Sequence, residues 1–287
     1  MKILSAVAAM VLLVAAGATA ETANALSDAE MQGRALAQKI LEQRPAENFT
    51  NFGVLKIRDG QGSQTNLSIK CEVIVTSTNW QSIYETVATN QYLNGFRLPW
   101  LDVNSLKIIH AENRTTEYHL HWQHNAAVSR DLEKSWSASS ASNFLVGGSF
   151  GDFRSSRGEE KWSGTEWVHP FSNSDFWAAD LGLEFFHWPQ QKVLPKPTSL
   201  KRGRDYTLLE STNPSPSTNG YSRVLSWIDK ETGGVLEAEA YDFNGKLLKD
   251  FAPKSFKKVN GQWELQEMEI RNVQTGSRTR LEFDLNK

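Results

Sequence analysis

Tyr221-Ser222-Arg223-Val224-Leu225-Ser226-Trp227-Ile228-Asp229 is followed by Thr232-Gly233-Gly234, then by Val235-Leu236-Glu237-Ala238-Glu239-Ala240-Tyr241-Asp242, then by Asn244-Gly245. The long pieces read as extended segments and the glycine-bearing pieces as turns. Asn-Gly supplies the positive φ angles of a type I′ turn, so it predicts a tight hairpin. The rhythm continues to the end of the chain. Lys246–Phe251, Trp263–Val273 and Arg278–Leu285 read as strands, separated by Asn260-Gly261 and Thr275-Gly276. A tight turn joins only antiparallel neighbours, so this third of the chain is an antiparallel meander.

Alternation shows which face is apolar. Thr279, Leu281, Phe283 and Leu285 share one face of the last strand, and Arg278, Arg280, Glu282 and Asp284 share the other. Leu236, Ala238 and Ala240 stand opposite Glu237 and Glu239. Trp263 and Leu265 are in phase, but Met268 and Ile270 are one residue out. A bulge near Gln266-Glu267 restores the register, and bulges bend sheets. A long, one-sided, bent meander predicts a barrel or half-barrel. The small side chains of Ala238 and Ala240 either leave room for a ligand or are closed over by larger neighbours.

Working toward the N-terminus, Phe49–Arg58, Leu67–Ser77, Ser82–Ala88 and Ser105–Ala111 read as strands, with Gly60-Gln61-Gly62 as a hairpin turn. Before them, Ser27-Asp28-Ala29-Glu30 is a capping box that opens a helix. Met31, Ala35, Leu36, Ala37, Ile40 and Leu41 form its expected buried face. The first twenty residues have a Lys2 start, an apolar run from Ile3 to Gly17 and Ala18-Thr19-Ala20, the pattern of a secretory signal peptide. The expected organisation is therefore a signal peptide at 1–20 and one domain over 21–287. The one cysteine, Cys71, excludes an internal disulfide and reads as core packing.

Composition narrows the function. A formal net charge of −2 with scattered Lys and Arg gives no field for nucleic acid. A membrane-spanning barrel is disfavoured because one strand face carries Glu237, Glu239, Arg278 and Arg280. Gly147-Gly148-Ser149-Phe150-Gly151 matches the nucleophile-elbow pattern, but Asp152-Phe153-Arg154-Ser155 is no apolar helix and no βαβ alternation surrounds it. His119 and His121 share a strand face with Glu117, as metal ligands do, yet the opposite face carries Tyr118, Leu120 and Trp122, so a solvated histidine face is the reading. No catalytic residue, metal ligand or cofactor is expected.

Four stretches resemble the outer-membrane lipoprotein-sorting protein family, the LolA/LolB-like carriers. They are Phe171 to Leu181 (FSNSDFWAADL), Tyr221 to Thr232 (YSRVLSWIDKET), Tyr241 to Lys249 (YDFNGKLLK), and Asn260 to Trp263 with Met268 to Thr279. The resemblance implies a mainly β (α+β) fold, an incomplete antiparallel β-barrel with an N-terminal helix and short covering helices. It also implies a non-enzymatic periplasmic carrier of lipoprotein acyl chains or other lipids, with inner-membrane donor and outer-membrane acceptor proteins as partners. The expected cavity-lining residues are Tyr118, Leu120, Trp122, Trp227, Leu236, Ala238, Ala240, Trp263, Leu265, Leu281, Phe283 and Leu285. The N-terminal helix or the segment after Ser174 would serve as a lid. Ten tryptophans also suit sugar stacking, so an envelope module binding carbohydrate or peptide is the alternative.

Overall fold

The computed structural model describes residues 26–87, 91–93, 96–98, 103–111, 116–123, 157–162, 168, 170–195, 199–259 and 261–285. The expected signal peptide at 1–20 and the Gly147–Gly151 motif lie outside these residues. No helix among them is long and apolar enough to cross a membrane.

Helix α1 spans Asp28–Leu41. The Ser27 hydroxyl accepts from the Glu30 N–H, and the Glu30 carboxylate accepts from the Ser27 N–H at 2.8 Å, the expected capping box. The buried residues are Gly33, Ala37 and Ile40, with Leu36 half-buried; Met31 and Ala35, expected on that face, are exposed. The helix is rotated because Gly33, not a large side chain, meets its neighbour. A Cβ at position 33 would stand 2.5 Å from the Lys192 nitrogen and 2.7 Å from the Gln191 oxygen. Only glycine allows the helix to lie this close to a strand backbone.

Among the described residues fifteen strands follow: β1 Phe49–Arg58, β2 Gln64–Val75, β3 Asn79–Val87, β4 Gln91–Leu93, β5 Phe96–Leu98, β6 Val103–Ala111, β7 Glu117–Gln123, β8 Arg157–Trp162, β9 Gln190–Leu194, β10 Tyr206–Thr212, β11 Tyr221–Asp229, β12 Val235–Asp242, β13 Leu247–Val259, β14 Gln262–Asn272 and β15 Arg278–Asp284. β4 and β5 form a small hairpin, and the rest make one unclosed sheet of 13 strands in the order β8-β7-β6-β3-β2-β1-β15-β14-β13-β12-β11-β10-β9. Every neighbouring pair in it is antiparallel, as the turn spacing predicts.

The first and last strands pair in the middle of this sheet, Leu55 opposite Leu281. The two edges, β8 and β9, are consecutive in the chain. The connection between them must therefore travel from one edge to the other. Residues 171–188 do so across one face, touching β3, β7, β11, β13 and β15 on the way. That face is called the inner face below.

Four of the hairpins share one chemistry. Asp59, Asp229, Asp242 and Asn272 each accept, through a side-chain oxygen, the backbone N–H two residues on, at 2.9–3.0 Å. Gly62, Gly233, Gly245 and Gly276 then take positive φ of 73–95°. These are Asx-started turns closed by a left-handed glycine. The type I′ turn expected at Asn244-Gly245 is corrected: Asn244 is not left-handed, and Gly245 alone supplies the positive φ.

The expected bulge is present. Pro253 pairs with Met268, Ser255 with Glu267 and Phe256 with Leu265, so Lys254 and Gln266 are each left over. The two extra residues bring Trp263 and Leu265 into phase with Met268 and Ile270 on the inner side.

Gly33→Ala is expected to destabilise the protein by about 1–3 kcal/mol, because the methyl group meets backbone that cannot rotate away. Urea unfolding should show a lower midpoint at unchanged slope; an unchanged midpoint would mean the helix can slide on β9 without loss.

Candidate functional site: the covered inner face

The segment Phe171–Trp188 (FSNSDFWAADLGLEFFHW) covers the inner face. It folds as a 3-10 turn at Phe171–Asn173, a short helix α2 at Ala178–Leu181 and a second 3-10 turn at Glu184–His187. Its aromatic side chains Phe171, Phe176, Phe185, Phe186 and Trp188 are buried, and they join Leu106, Ile108, Tyr118, Val224, Ile228, Ala238, Ala240, Ile270 and Leu281 in one core. Phe185 stands against Phe251 with ring centroids 6.1 Å apart. The space beside Ala238 and Ala240 is thus filled by the protein's own aromatic rings.

A polar cluster lies inside this apolar contact. Lys249 sits between Leu247 and Phe251 on the inner face of β13, with 1% of its side chain exposed. Its ammonium donates to the Asp175 carbonyl at 2.7 Å and to Asp180 Oδ2 at 3.4 Å. It also stands 3.4 Å from the Trp177 ring centroid, a cation–π contact. Tyr221 donates to Asp180 Oδ1 at 2.8 Å, and the Trp177 N–H donates to Asp180 Oδ2 at 2.8 Å. Asp175 is held from the sheet by Ser277 and Thr279 hydroxyls. Burial pushes the Lys249 ammonium down to about 8 against the opposing pull of Asp180 and Asp175, so it stays charged at neutral pH. Burial also pushes the Tyr221 phenol well up, which keeps it a hydrogen-bond donor.

A second polar contact lies toward the β7 side. Tyr118, fully buried, donates to Glu184 Oε2 at 2.8 Å, and Gly182 lies flat against its ring. Burial raises the Glu184 carboxyl to about 7 despite that hydrogen bond. Ser172 meets the Thr86 hydroxyl, and His187 Nε2 meets the Thr116 hydroxyl at 2.8 Å. A cleft of about 260 Å³ between α1 and residues 186–191 is lined by Arg34, Gln38, Leu41 and His187, among others.

The covering segment is attached by side chains. Its backbone-to-backbone hydrogen bonds close on itself, as in Phe171 N–H to Phe176 oxygen at 2.7 Å, and the strands reach its backbone only with side chains: Thr279 accepts from the Asp175 N–H, and Gln191 donates to the Phe185 and Trp188 carbonyls. It also carries strain: Ser172, Asn173 and Leu183 have φ of 52–57°. A left-handed Leu costs on the order of 1 kcal/mol and persists only where tertiary contacts impose it.

The predicted lining residues divide. Tyr118, Ala238, Ala240 and Leu281 are fully buried on the inner face, and Leu120 and Phe283 pack on the same core. Leu285 is buried at the end of the chain. Trp122 lies on β7 in phase with Tyr118, and its side chain lies outside the described residues. Leu265 is half-buried beyond the bulge. Three assignments are corrected. Trp227 faces outward, opposite Glu237 and 4.2 Å below the Lys201 ammonium, because Val224, Ser226 and Ile228 take the inner side. Leu236 is the unpaired residue of a bulge, and Val235 packs on the core in its place. Trp263 is on the inner side but 71% exposed, because β14 has left the sheet there. The Ser174 segment is the cover, as expected; α1 covers β9 instead. His119 and His121 stack at 6.5 Å on the outer side, and no group of three metal-ligating side chains occurs among the described residues.

Lys249 and Glu184 were missed. For Lys249 a signal existed: a lysine in phase with Leu247 and Phe251 on an apolar strand face.

These features define an open antiparallel half-barrel whose inner face is covered by an edge-to-edge segment. A family model described only as "Uncharacterized protein" matches residues 156–286. No curated protein matches the chain. The fold is that of three solved structures. One, described as an outer membrane lipoprotein-sorting protein domain from Vibrio parahaemolyticus, has TM-score 0.59 at 17% identity, over 89% of this chain and 91% of that one. A DUF1329 family protein from Desulfovibrio piger has TM-score 0.52 at 18% identity, over 90% and 92%. A LolA superfamily protein from Nitrosomonas europaea has TM-score 0.51 at 14% identity, over 88% and 91%. The fold implied by the four resembling stretches is the fold observed.

Lys249→Met should cost about 3–5 kcal/mol, since it leaves the Asp180 carboxylate buried without its cation. Adding Asp180→Asn should recover part of that loss; additive losses in denaturant unfolding would contradict the coupling. Glu184 carries a pH signature. Its folded pKa lies above the usual value, so the folded state binds more protons than the unfolded state between about pH 4.5 and 7. Its contribution is full below that window and lost as pH rises through it. The stability difference between wild type and Glu184→Gln should therefore fall with rising pH across the window; a flat difference would refute the assignment.

Proposed function

We propose that this chain is a non-catalytic periplasmic carrier. It takes acyl chains of lipoproteins or other lipids onto the inner face of the sheet, with residues 21–287 acting as one domain after loss of 1–20. The observation that carries this reading is the cover itself. A broad apolar face is shielded by a segment that makes no backbone-to-backbone hydrogen bond with the strands, is held to them through side chains, and can leave without breaking a strand ladder.

The exchange is physically plausible in magnitude. Burying an acyl chain gains about 0.8 kcal/mol per CH₂, on the order of 10 kcal/mol for a chain of ordinary length before association costs. Displacing the segment loses its aromatic burial and the Lys249–Asp180 contact but relieves the strain at Ser172 and Leu183. Tyr118, Leu120, Ala238, Ala240, Leu281 and Phe283 are the proposed lining once it leaves. The likeness to a lipoprotein-sorting domain supports this reading through the fold. Inner-membrane donors and outer-membrane acceptors are the corresponding proposed partners.

Native mass spectrometry of protein purified from the periplasm, with lipid extraction, should reveal bound diacyl or triacyl species. A disulfide between Thr86→Cys and Ser172→Cys, whose native hydroxyls touch, clamps the cover. Lipid uptake should stop in the oxidised variant and return on reduction. Protein that ignores lipids and lipopeptides yet retains glycan or peptide would sink the carrier reading in favour of an envelope-binding module.

A further inference from the structure

The hairpin of β13 and β14 is longer than its neighbours. β12 pairs with β13 only as far as Phe251, and β15 pairs with β14 only from Glu267 onward. Residues 254–266 therefore pair only with each other, as an arm beyond the sheet. On its inner side, Phe256 faces Leu265, and Lys258 faces Trp263. Phe256 is 53% exposed and Trp263 71%. A lone exposed aromatic needs no explanation, but two on one face of a free hairpin do. A two-stranded hairpin is marginal in water by itself.

The same end of the sheet carries more apolar surface. Phe52 pairs with Asp284 at the end of β15, and Phe49 and Phe52 are 42% and 51% exposed. Arg202, in the loop that exposes Leu200, donates to the Pro253 carbonyl at 2.7 Å where the arm begins. The arm carries Lys254, Lys257 and Lys258 against Glu264 over residues 254–264; Lys254 pairs with Glu269 at 3.0 Å, Lys257 stands opposite Glu264 on the outer side, and Lys258 is exposed on the inner side beside Trp263. Lysines along free strand edges discourage pairing with another strand, so the aromatic face is what the arm presents.

We infer that this arm docks the protein on an anionic phospholipid bilayer. Trp263 and Phe256 enter the interfacial layer, and Lys258, exposed on the same side, lies at the headgroup phosphates, the arrangement in which an amphipathic side chain keeps its charge in water. The apolar stripe of the arm runs through Met268 and Phe251 into the inner face, so a docked arm places that face next to the lipid.

The test is flotation of delipidated protein with vesicles of phosphatidylglycerol and phosphatidylethanolamine, against vesicles of phosphatidylcholine alone. Using delipidated protein keeps the outcome separate from acyl-chain carriage. The protein should float with the anionic vesicles. Removing the Lys258 charge by Lys258→Gln should lower partitioning about fivefold, and Phe256→Ser/Trp263→Ser should lower it to the phosphatidylcholine level. Lys258→Glu provides a second variant at an exposed position. Absence of flotation, or flotation unchanged in both variants, overturns the inference. So does concentration-dependent dimerisation lost in Trp263→Ser without vesicle binding, which would assign the arm to a second copy.

Discussion

Because β1 pairs with β15 in the middle of the sheet, the two strands that are adjacent in sequence at the midpoint of the meander, β8 and β9, end up at opposite edges. The chain has to cross between them, and it crosses over the apolar face. The cover is therefore a consequence of strand order. Any sequence with this pairing must either fill that face with the connection or leave the face exposed. Here the connection is unusually rich in aromatic residues, and small residues such as Ala238 and Ala240 accept them.

An apolar contact alone would leave the segment free to slide. The Lys249–Asp180–Tyr221 cluster gives it one position, since a buried charge without its partner is costly. The same cluster limits the gain, because both ions are desolvated. Together with the left-handed Ser172, Asn173 and Leu183, this makes the cover well ordered but not the most stable state its composition permits. Such a segment suits the proposed carrier role, in which the inner face is shielded between cargoes and released without unfolding the sheet.

The arm of β13 and β14 shows the opposite handling of apolar surface. On the sheet, Phe251 and Ile270 are covered; beyond it, Phe256 and Trp263 are not. One paired set of bulges, at Lys254 and Gln266, keeps both regions on the same side. Inner face and arm form a single stripe, with a closed part and an open part.

The sequence by itself determined the antiparallel meander, the bulge near Gln266, the capping box at Ser27 and the apolar side of β15. Each depends on neighbours within a few residues: the two-residue period of a strand, the φ freedom of glycine, the reach of a Ser or Glu side chain. The inward placement of Ala238, Ala240 and Leu281 was legible for the same reason. Tertiary structure decided what alternation cannot express. It turned Trp227 outward under Lys201, moved Leu236 aside at a bulge and exposed Trp263 on the arm. It also brought Lys249 to Asp180 and Tyr118 to Glu184 across the inner face, because polar groups far apart in sequence meet only once strand order places them. That order depends on the pairing of β1 with β15, a contact between the two ends of the meander that no local pattern specifies.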